Sequence, residues 1–423
     1  MYLTDRSAPP AADSEPGRRR GLRPKVAPVV LVLGTVSLIT DISSEMVTAV
    51  LPLYLVTTLG FSPLGFGTLD GVYNGVSALV QLTGGHLADR VRNHKLMAGL
   101  GYGLSALCKP LLLLASSLGT LGTVLALDRT GKGLRTAPRD AMISLSTPPE
   151  NQGRSFGVHR AMDTTGAMLG PLAAFLILRA AADGYDAVFG VSACVAVLGV
   201  LVLVLFVPGR RQRAQTDEAG APDGRQPVRL REALALLRLP RLRALAGCAA
   251  LLGLTTVSDA FVYLLLQRRV GIGEEWFPLL PLGTAAVFLL LAVPVGALAD
   301  RVGRHRVFLA GHAGLLTGYA LLLWAPATPA LPCLVLALHG TFYAATDGVL
   351  PAALAGLVPE QLRASGLAIV GTSQALARFC CSLAFGAAWT TWGDGRALAG
   401  AAVGLLCCAA VAGMVLRPTK EAR

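Results

Sequence analysis

Leu125-Ala-Leu-Asp128-Arg129-Thr-Gly-Lys132-Gly-Leu-Arg135-Thr-Ala-Pro-Arg139-Asp140 is the stretch on which the fold turns. It continues an uncharged apolar run, Leu111 to Leu127, and is itself dense in charge. If that run crosses a bilayer, Asp128, Arg129, Lys132 and Arg135 lie inside it. Each such charge costs about 2.5–3.5 kcal/mol at a helix centre on insertion scales. A helix tolerates that cost only where the charges face protein or a water-filled cavity.

Composition supports the membrane reading. The 423 residues are 53% hydrophobic and only 15% charged, where a soluble chain carries roughly 25% charged residues. Mean hydropathy is +0.59. Apolar runs of membrane-crossing length recur, and they are continuous instead of alternating, which predicts helices and excludes a β-barrel. The expected fold class is an all-α polytopic membrane protein with twelve transmembrane helices in two six-helix halves. The spans are predicted over 27–58, 63–88, 95–117, 119–145, 153–179 and 186–207, then 242–267, 276–299, 305–325, 329–357, 361–390 and 397–416.

The organisation follows from shifts in composition. Residues 1–25 read as a disordered cytoplasmic tail, 26–207 as the N-terminal bundle and 241–416 as the C-terminal bundle. Residues 208–240 read as a polar linker ending in a short amphipathic helix, and 417–423 as a second tail. The net charge is +12, and Arg and Lys cluster in alternate loops, as the positive-inside rule predicts, with Arg268-Arg269, balanced by Glu274-Glu275, the one clear exception. Nucleic acid is therefore not an expected partner; a lipid bilayer is, with both termini cytoplasmic. The eight cysteines lie within apolar runs without Cys-x-x-Cys or Cys/His metal spacing. No metal, cofactor or disulfide framework is expected, and no nucleophile–base spacing or phosphate loop suggests an enzyme.

The two halves echo each other. Gly84-Gly85-His-Leu-Ala-Asp89-Arg90-Val91 is matched by Val295-Gly296-Ala-Leu-Ala-Asp300-Arg301-Val302. The offset is constant, since 300 − 89 and 271 − 60 both give 211, the latter for Gly60 and Gly271. Pro149-Glu150 and Pro359-Glu360 open a second matched segment. Such duplication is a transporter architecture.

These segments resemble the major facilitator superfamily over residues 27–416. The loop at Gly85, Asp89 and Arg90 and its copy at Gly296, Asp300 and Arg301 resemble the family's conformational latch. There an acid accepts hydrogen bonds from a helix N-terminus and pairs with a base. Leu125, Arg129 and Gly133 match the family's fourth-helix pattern, while Gly166, Gly170 and Pro171 match the fifth-helix pattern of its antiporters, implying a gating kink. Ala173-Ala174 departs from that pattern. Thr40-Asp-Ile-Ser-Ser-Glu-Met46 and Gly131 to Asp140 resemble a bacterial branch of small-molecule permeases and exporters.

Within this frame the intramembrane polar residues gain roles. Asp41 and Glu45 are one turn apart, Asp41 lies about 21 Å into the first span and Arg129 about 15 Å into the fourth. Asp41 or Glu45 is expected to approach Arg129, Lys132 or Arg135, and adjacent carboxylates suit a proton carrier. A static ion-pair cluster is the competing expectation. Asp128 and Lys132 are spaced as a local pair, as are Arg160 and Asp163. Tyr73, Lys109, His339, Tyr343 and Gln374 are candidate cavity-lining residues; Asp259, Asp347 and Arg378 are candidate coupling residues, with Asp347 able to reach Arg378. Asp70 reads as solvated or capping, and Arg139 and Asp140 as solvated at the surface. The expected activity is proton-coupled transport of a small organic molecule by a monomer, by export through proton antiport. Uptake by symport and a non-transporting sensor or assembly factor are the alternatives. The cations of the fourth span hint at an anionic or zwitterionic substrate.

Overall fold

The computed structural model describes residues 26–90, 93–148, 151–181, 183–207, 238–347, 349–350 and 363–416. The two tails, the linker over 208–237 and both Pro-Glu dipeptides lie outside these residues, as do the side chains of Asp89 and Arg90. Thirteen α-helices are present among the described residues, with no strand. The first half comprises α1 (Pro28–Leu53), α2 (Pro63–Arg90), α3 (His94–Leu114), α4 (Leu118–Leu145), α5 (Gln152–Ala180) and α6 (Gly184–Phe206). The second comprises α7 (Pro240–Gly253), α8 (Asp259–Val270), α9 (Leu279–Val302), α10 (Arg304–Trp324), α11 (Ala330–Thr346), α12 (Arg363–Trp392) and α13 (Asp394–Val415).

Local chemistry sets several of these ends. Pro28 opens α1, where a missing N–H costs nothing. Ser117 and Thr120 form a reciprocal capping box on α4, and Asn93 accepts from the Leu96 amide to start α3 at 3.1 Å. Pro52 sits near the end of α1, which widens into a π-turn over Tyr54–Thr58. Among the described residues, seven helical segments are long and apolar enough to cross a membrane by length and composition. α4 is not among them, since it carries the charges quoted above. Leu198, Leu201, Val204 and Leu205 of α6 and Leu289, Leu290 and Val293 of α9 are exposed, giving an apolar belt suited to lipid.

The duplication read from sequence is present in the packing. α1 packs on α5 and α6, α2 on α4, and α3 on α4 and α6. The second half repeats each pairing, with α7 on α12 and α13, α9 on α11, and α10 on α11 and α13. Gly60 and Gly271, separated by the constant offset, both adopt left-handed backbone, with φ of 65° and 71°. Both are turns that glycine alone enters without strain.

One expectation is corrected. The span predicted over 242–267 is two helices, α7 and α8, separated by 254–258. The apolar run hid the break. The Val257 amide donates to the Tyr319 hydroxyl at 2.8 Å, and the Thr255 and Thr256 hydroxyls donate to the Leu252 carbonyl. Irregular backbone at this depth survives because protein groups satisfy it and a cavity borders it.

The halves meet through α2 and α12, and through the symmetry-related pair α5 and α9. Gly67 and Gly386 permit backbone contact there: a Cβ on Gly67 would lie 2.4 Å from the Ser382 carbonyl, and one on Gly386 2.5 Å from that of Pro63. Phe66, Phe261, Phe385 and Trp389 from both halves form an aromatic plug, with centroids 4.8 to 5.9 Å apart. Nearby, Tyr185 donates to Glu274 at 2.8 Å, and Phe175 stacks on Trp276 at 5.1 Å. All these contacts lie at the end of the bundle away from residues 26 and 416.

Within the first half, Gly170 lets α5 touch α1, since a Cβ there would stand 2.7 Å from the Glu45 Cβ and 2.8 Å from the Ile42 carbonyl. Gly170→Ala forces those backbones apart and is expected to cost about 1–3 kcal/mol. Gly400→Ala, where a Cβ meets nothing within 4 Å, leaves stability unchanged or slightly higher. Thermal unfolding of the detergent-solubilised variants checks this; equal midpoints would contradict the packing argument.

Candidate functional site

A cavity of about 340 Å³ lies between the halves. Its walls come from α1, α2, the broken segment and α8, α9, α11 and α12. Five charged side chains line it: Glu45, Asp70, Asp259, Asp347 and Arg378. Aromatic faces come from Tyr73, Tyr263, Phe277, Phe288 and Tyr343.

On the second-half wall, Asp259 is the hub. Its Oδ1 accepts the Tyr343 hydroxyl at 2.6 Å and faces His339 Nε2 at 2.9 Å. The α11 stripe predicted from sequence therefore exists, but with a division of labour. Tyr343 and Asp347 reach the cavity, while buried His339 stands behind Asp259. Arg378 lines the cavity from α12. The expected Asp347–Arg378 salt bridge is not formed; both line the cavity with Asp347 exposed to it. Gln374 packs its backbone against Gly253 and Lys109 is buried on α3, so neither lines the cavity.

The charges of α4 form a separate network beside this cavity, and every acid there has a base. Arg135 pairs with Asp41 at 3.2 Å and Lys132 with Glu45 at 3.8 Å. The α1–α4 confrontation expected from sequence is thus present, with the partners resolved. Arg129 takes neither α1 acid. It is held by Asp128 at 2.5 Å and lies over the Tyr73 ring at 4.1 Å. The expected Asp128–Lys132 pair is also replaced, because Asp128 turns to Lys109 at 3.0 Å and accepts from Ser105 at 2.5 Å. The reason is burial. The Lys109 side chain is 3% exposed and that of Lys132 39%, so an unpaired Lys109 would be far more costly.

A second cluster extends toward the end of the bundle that holds residue 26. Arg139, expected to be solvated, is buried and reaches Asp140 at 3.0 Å, Asp163 at 3.5 Å and the Ser37 hydroxyl at 3.2 Å. Arg160 pairs with Asp163 at 3.6 Å, as its spacing suggested. Ser37 also meets His159 at 3.0 Å and Tyr102 at 3.3 Å, and Arg135 lies over Tyr102 at 4.5 Å. Asp41 and Asp163 both enter this set of charges, Asp41 through Arg135 and Asp163 through Arg139 and Arg160. Ser37, Tyr102, Ser105 and His159 were not singled out in the sequence. Ser37 carried a legible signal, being one turn before Asp41 on the same face of α1.

Other expectations change as well. Asp70 is neither capping nor simply solvated; it accepts from Ser382 across the halves at 2.6 Å and lines the cavity. Gly166 and Gly170 act as contact points, the first bringing α5 against the Leu38 carbonyl, and α5 runs unbroken through Pro171. Asp300 pairs within its own half, with Arg304 at 3.0 Å, and both border a smaller cleft with Gly296. Arg301 is exposed.

A duplicated helical bundle, wrapped in an apolar belt and holding a polar cavity between its halves, defines a membrane transporter. The chain belongs to the major facilitator superfamily, whose family model matches residues 33–292 and 279–423. An uncharacterized MFS-type transporter of Methanocaldococcus jannaschii is 30% identical over 371 residues, covering 85% of this chain and 88% of that one. The inner membrane transport protein YajR of Escherichia coli is 25% identical, covering 87% of this chain and 79% of that one. Among solved structures, the nucleoside transporter NupG superposes with a TM-score of 0.77 at 13% identity, covering 93% of this chain and all of that one. A bacterial homolog of the human lysosomal transporter Spinster, inward-facing and unoccupied, gives 0.73 at 15%, covering 92% and 96%. These two likenesses concern the fold alone.

Because Lys109 and Arg129 share Asp128, Asp128→Asn strands two buried cations and is expected to destabilise by about 3–5 kcal/mol. Lys109→Met added to it removes one of them and restores part of the loss. The measurement is again thermal unfolding in detergent; an Asp128→Asn midpoint equal to that of the parent would refute the assignment.

Proposed function

We propose that the chain is a proton-coupled secondary transporter that exports a small organic molecule by proton antiport, rocking residues 26–207 against 241–416 about the cavity. The observation that carries this reading is the double membership of Glu45. It lines the cavity and also pairs with Lys132 of the ion-pair network. Occupancy of the cavity is thereby linked, one helical turn along α1, to Asp41 and its partners.

The proton site is the Asp41–Asp163 pair. With a proton shared between them, the two carboxyls form one charge-assisted hydrogen bond. Without it, two adjacent negative charges need both Arg135 and Arg139 close by. Gain or loss of one proton therefore changes how tightly α1 and α5 are bound to α4. Gly166 and Gly170 pack on the turns of α1 that carry Asp41 and Glu45, which supports the export direction suggested by the antiporter-like motif. The halves touch through the aromatic plug at the end away from the termini. Basic residues clustered in alternate loops support placing the end that holds the termini in the cytoplasm of a bacterium. The carrier acts as a monomer in the cytoplasmic membrane.

Proteoliposomes containing the full chain test this with a cationic, an anionic and a neutral probe: benzyltrimethylammonium, benzenesulfonate and uridine. A pH gradient is expected to drive at least one probe uphill, against the proton flow. Asp41→Asn and Asp163→Asn each reduce that driven flux about tenfold or more, in line with loss of general proton exchange, while downhill exchange of the probe persists. Flux with the proton flow would make the protein a symporter; no flux of any probe under either gradient would make it a sensor.

A further inference from the structure

The cavity has a charge balance of its own, distinct from that of α4. The cations that hinted at an anionic substrate are committed elsewhere: Arg129 to Asp128, Lys132 to Glu45, Arg135 to Asp41 and Arg139 to Asp140 and Asp163. None of the four lines the cavity. Among the described residues, what lines it is four carboxylates against one guanidinium. Lys132 offsets Glu45, and Arg378 offsets one acid among Asp70, Asp259 and Asp347. Two acids are then left without a cation, and even a proton on His339 beside Asp259 leaves one. The partial positive charge at the N-terminus of α8 falls on Asp259, which occupies the first turn of that helix, and leaves Asp70 and Asp347 without it.

We infer that the substrate is an organic cation, a protonated or quaternary amine bearing an apolar body. This deepens the transporter reading and rests on it. Asp347, exposed to the cavity and free of any ion pair among the described residues, supplies the counter-charge from α11. Asp70 supplies a second from α2, steadied by the Ser382 hydroxyl. Tyr73, Tyr263 and Phe288 line the same space, and aromatic rings attract desolvated cations; Arg129 already covers one face of Tyr73. The 340 Å³ volume falls at the small end of the range for small-molecule sites, about 300–1,000 Å³. An anion in this space would meet the uncompensated acids with only Arg378, among the described lining residues, to receive it.

Equilibrium dialysis of the detergent-solubilised full chain against radiolabelled benzyltrimethylammonium, benzenesulfonate and uridine tests the inference. The cation is expected to bind at least tenfold more tightly than either other probe. Asp347→Asn, at an exposed position where folding is not at stake, lowers cation binding about tenfold, and Asp347→Glu restores it. Tighter binding of benzenesulfonate, or cation binding unchanged by Asp347→Asn, overturns the inference. The two proposals fail separately. Cation binding without gradient-driven flux refutes transport and leaves the site's charge preference standing. Driven flux of uridine or benzenesulfonate without cation binding does the reverse.

Discussion

The need to match every charge buried in an apolar slab governs this structure. Asp41, Asp128 and Asp163 lie inside helices that lipid surrounds, and each is met by at least one guanidinium or ammonium. Removing one partner from such a pair leaves a charge whose burial costs several kcal/mol. The pairs therefore fix how α1, α3, α4 and α5 are rotated against one another. The glycines of α5 serve the same end by bringing backbones close enough for short acidic side chains to reach α4 bases.

Symmetry extends this constraint to the whole molecule. The halves repeat their helix pairings, and even the left-handed turns at Gly60 and Gly271 correspond. Their chemistry differs, however. The first half concentrates salt bridges around α4, whereas the second gathers Asp259, His339, Tyr343 and Arg378 around a broken helix. The cavity falls where these unlike walls face each other. Glu45 keeps Lys132, but Asp70 and Asp259 are met by hydroxyls and His339 instead of ammonium or guanidinium partners.

Sequence reasoning was strongest where the signal is local. Apolar runs, alternating basic loops and the 211-residue echo are each readable without knowing what touches what. It also pointed to acids of α1 meeting bases of α4, as Asp41 with Arg135 and Glu45 with Lys132 do. It faltered where a choice among partners depended on residues far along the chain. Asp70 was misread because its partner, Ser382, lies 312 residues away. Asp128 was assigned to Lys132 by spacing, yet Lys109 on the neighbouring helix had the greater need. The break before Asp259 was masked by uniform hydrophobicity, although Ser258 before an acidic first turn is a legible helix start.

By itself, then, the sequence determined that the chain is a duplicated helical membrane bundle, because hydrophobicity, charge placement and internal repetition are properties of the string. It also determined that ionised side chains must meet inside. Which of them meet, and which face the cavity, was decided only in three dimensions. Helix rotation is set by the sum of packing contacts from several partners. A shift of about 100° per residue around a helix separates a group that faces the cavity from one that stabilises its wall.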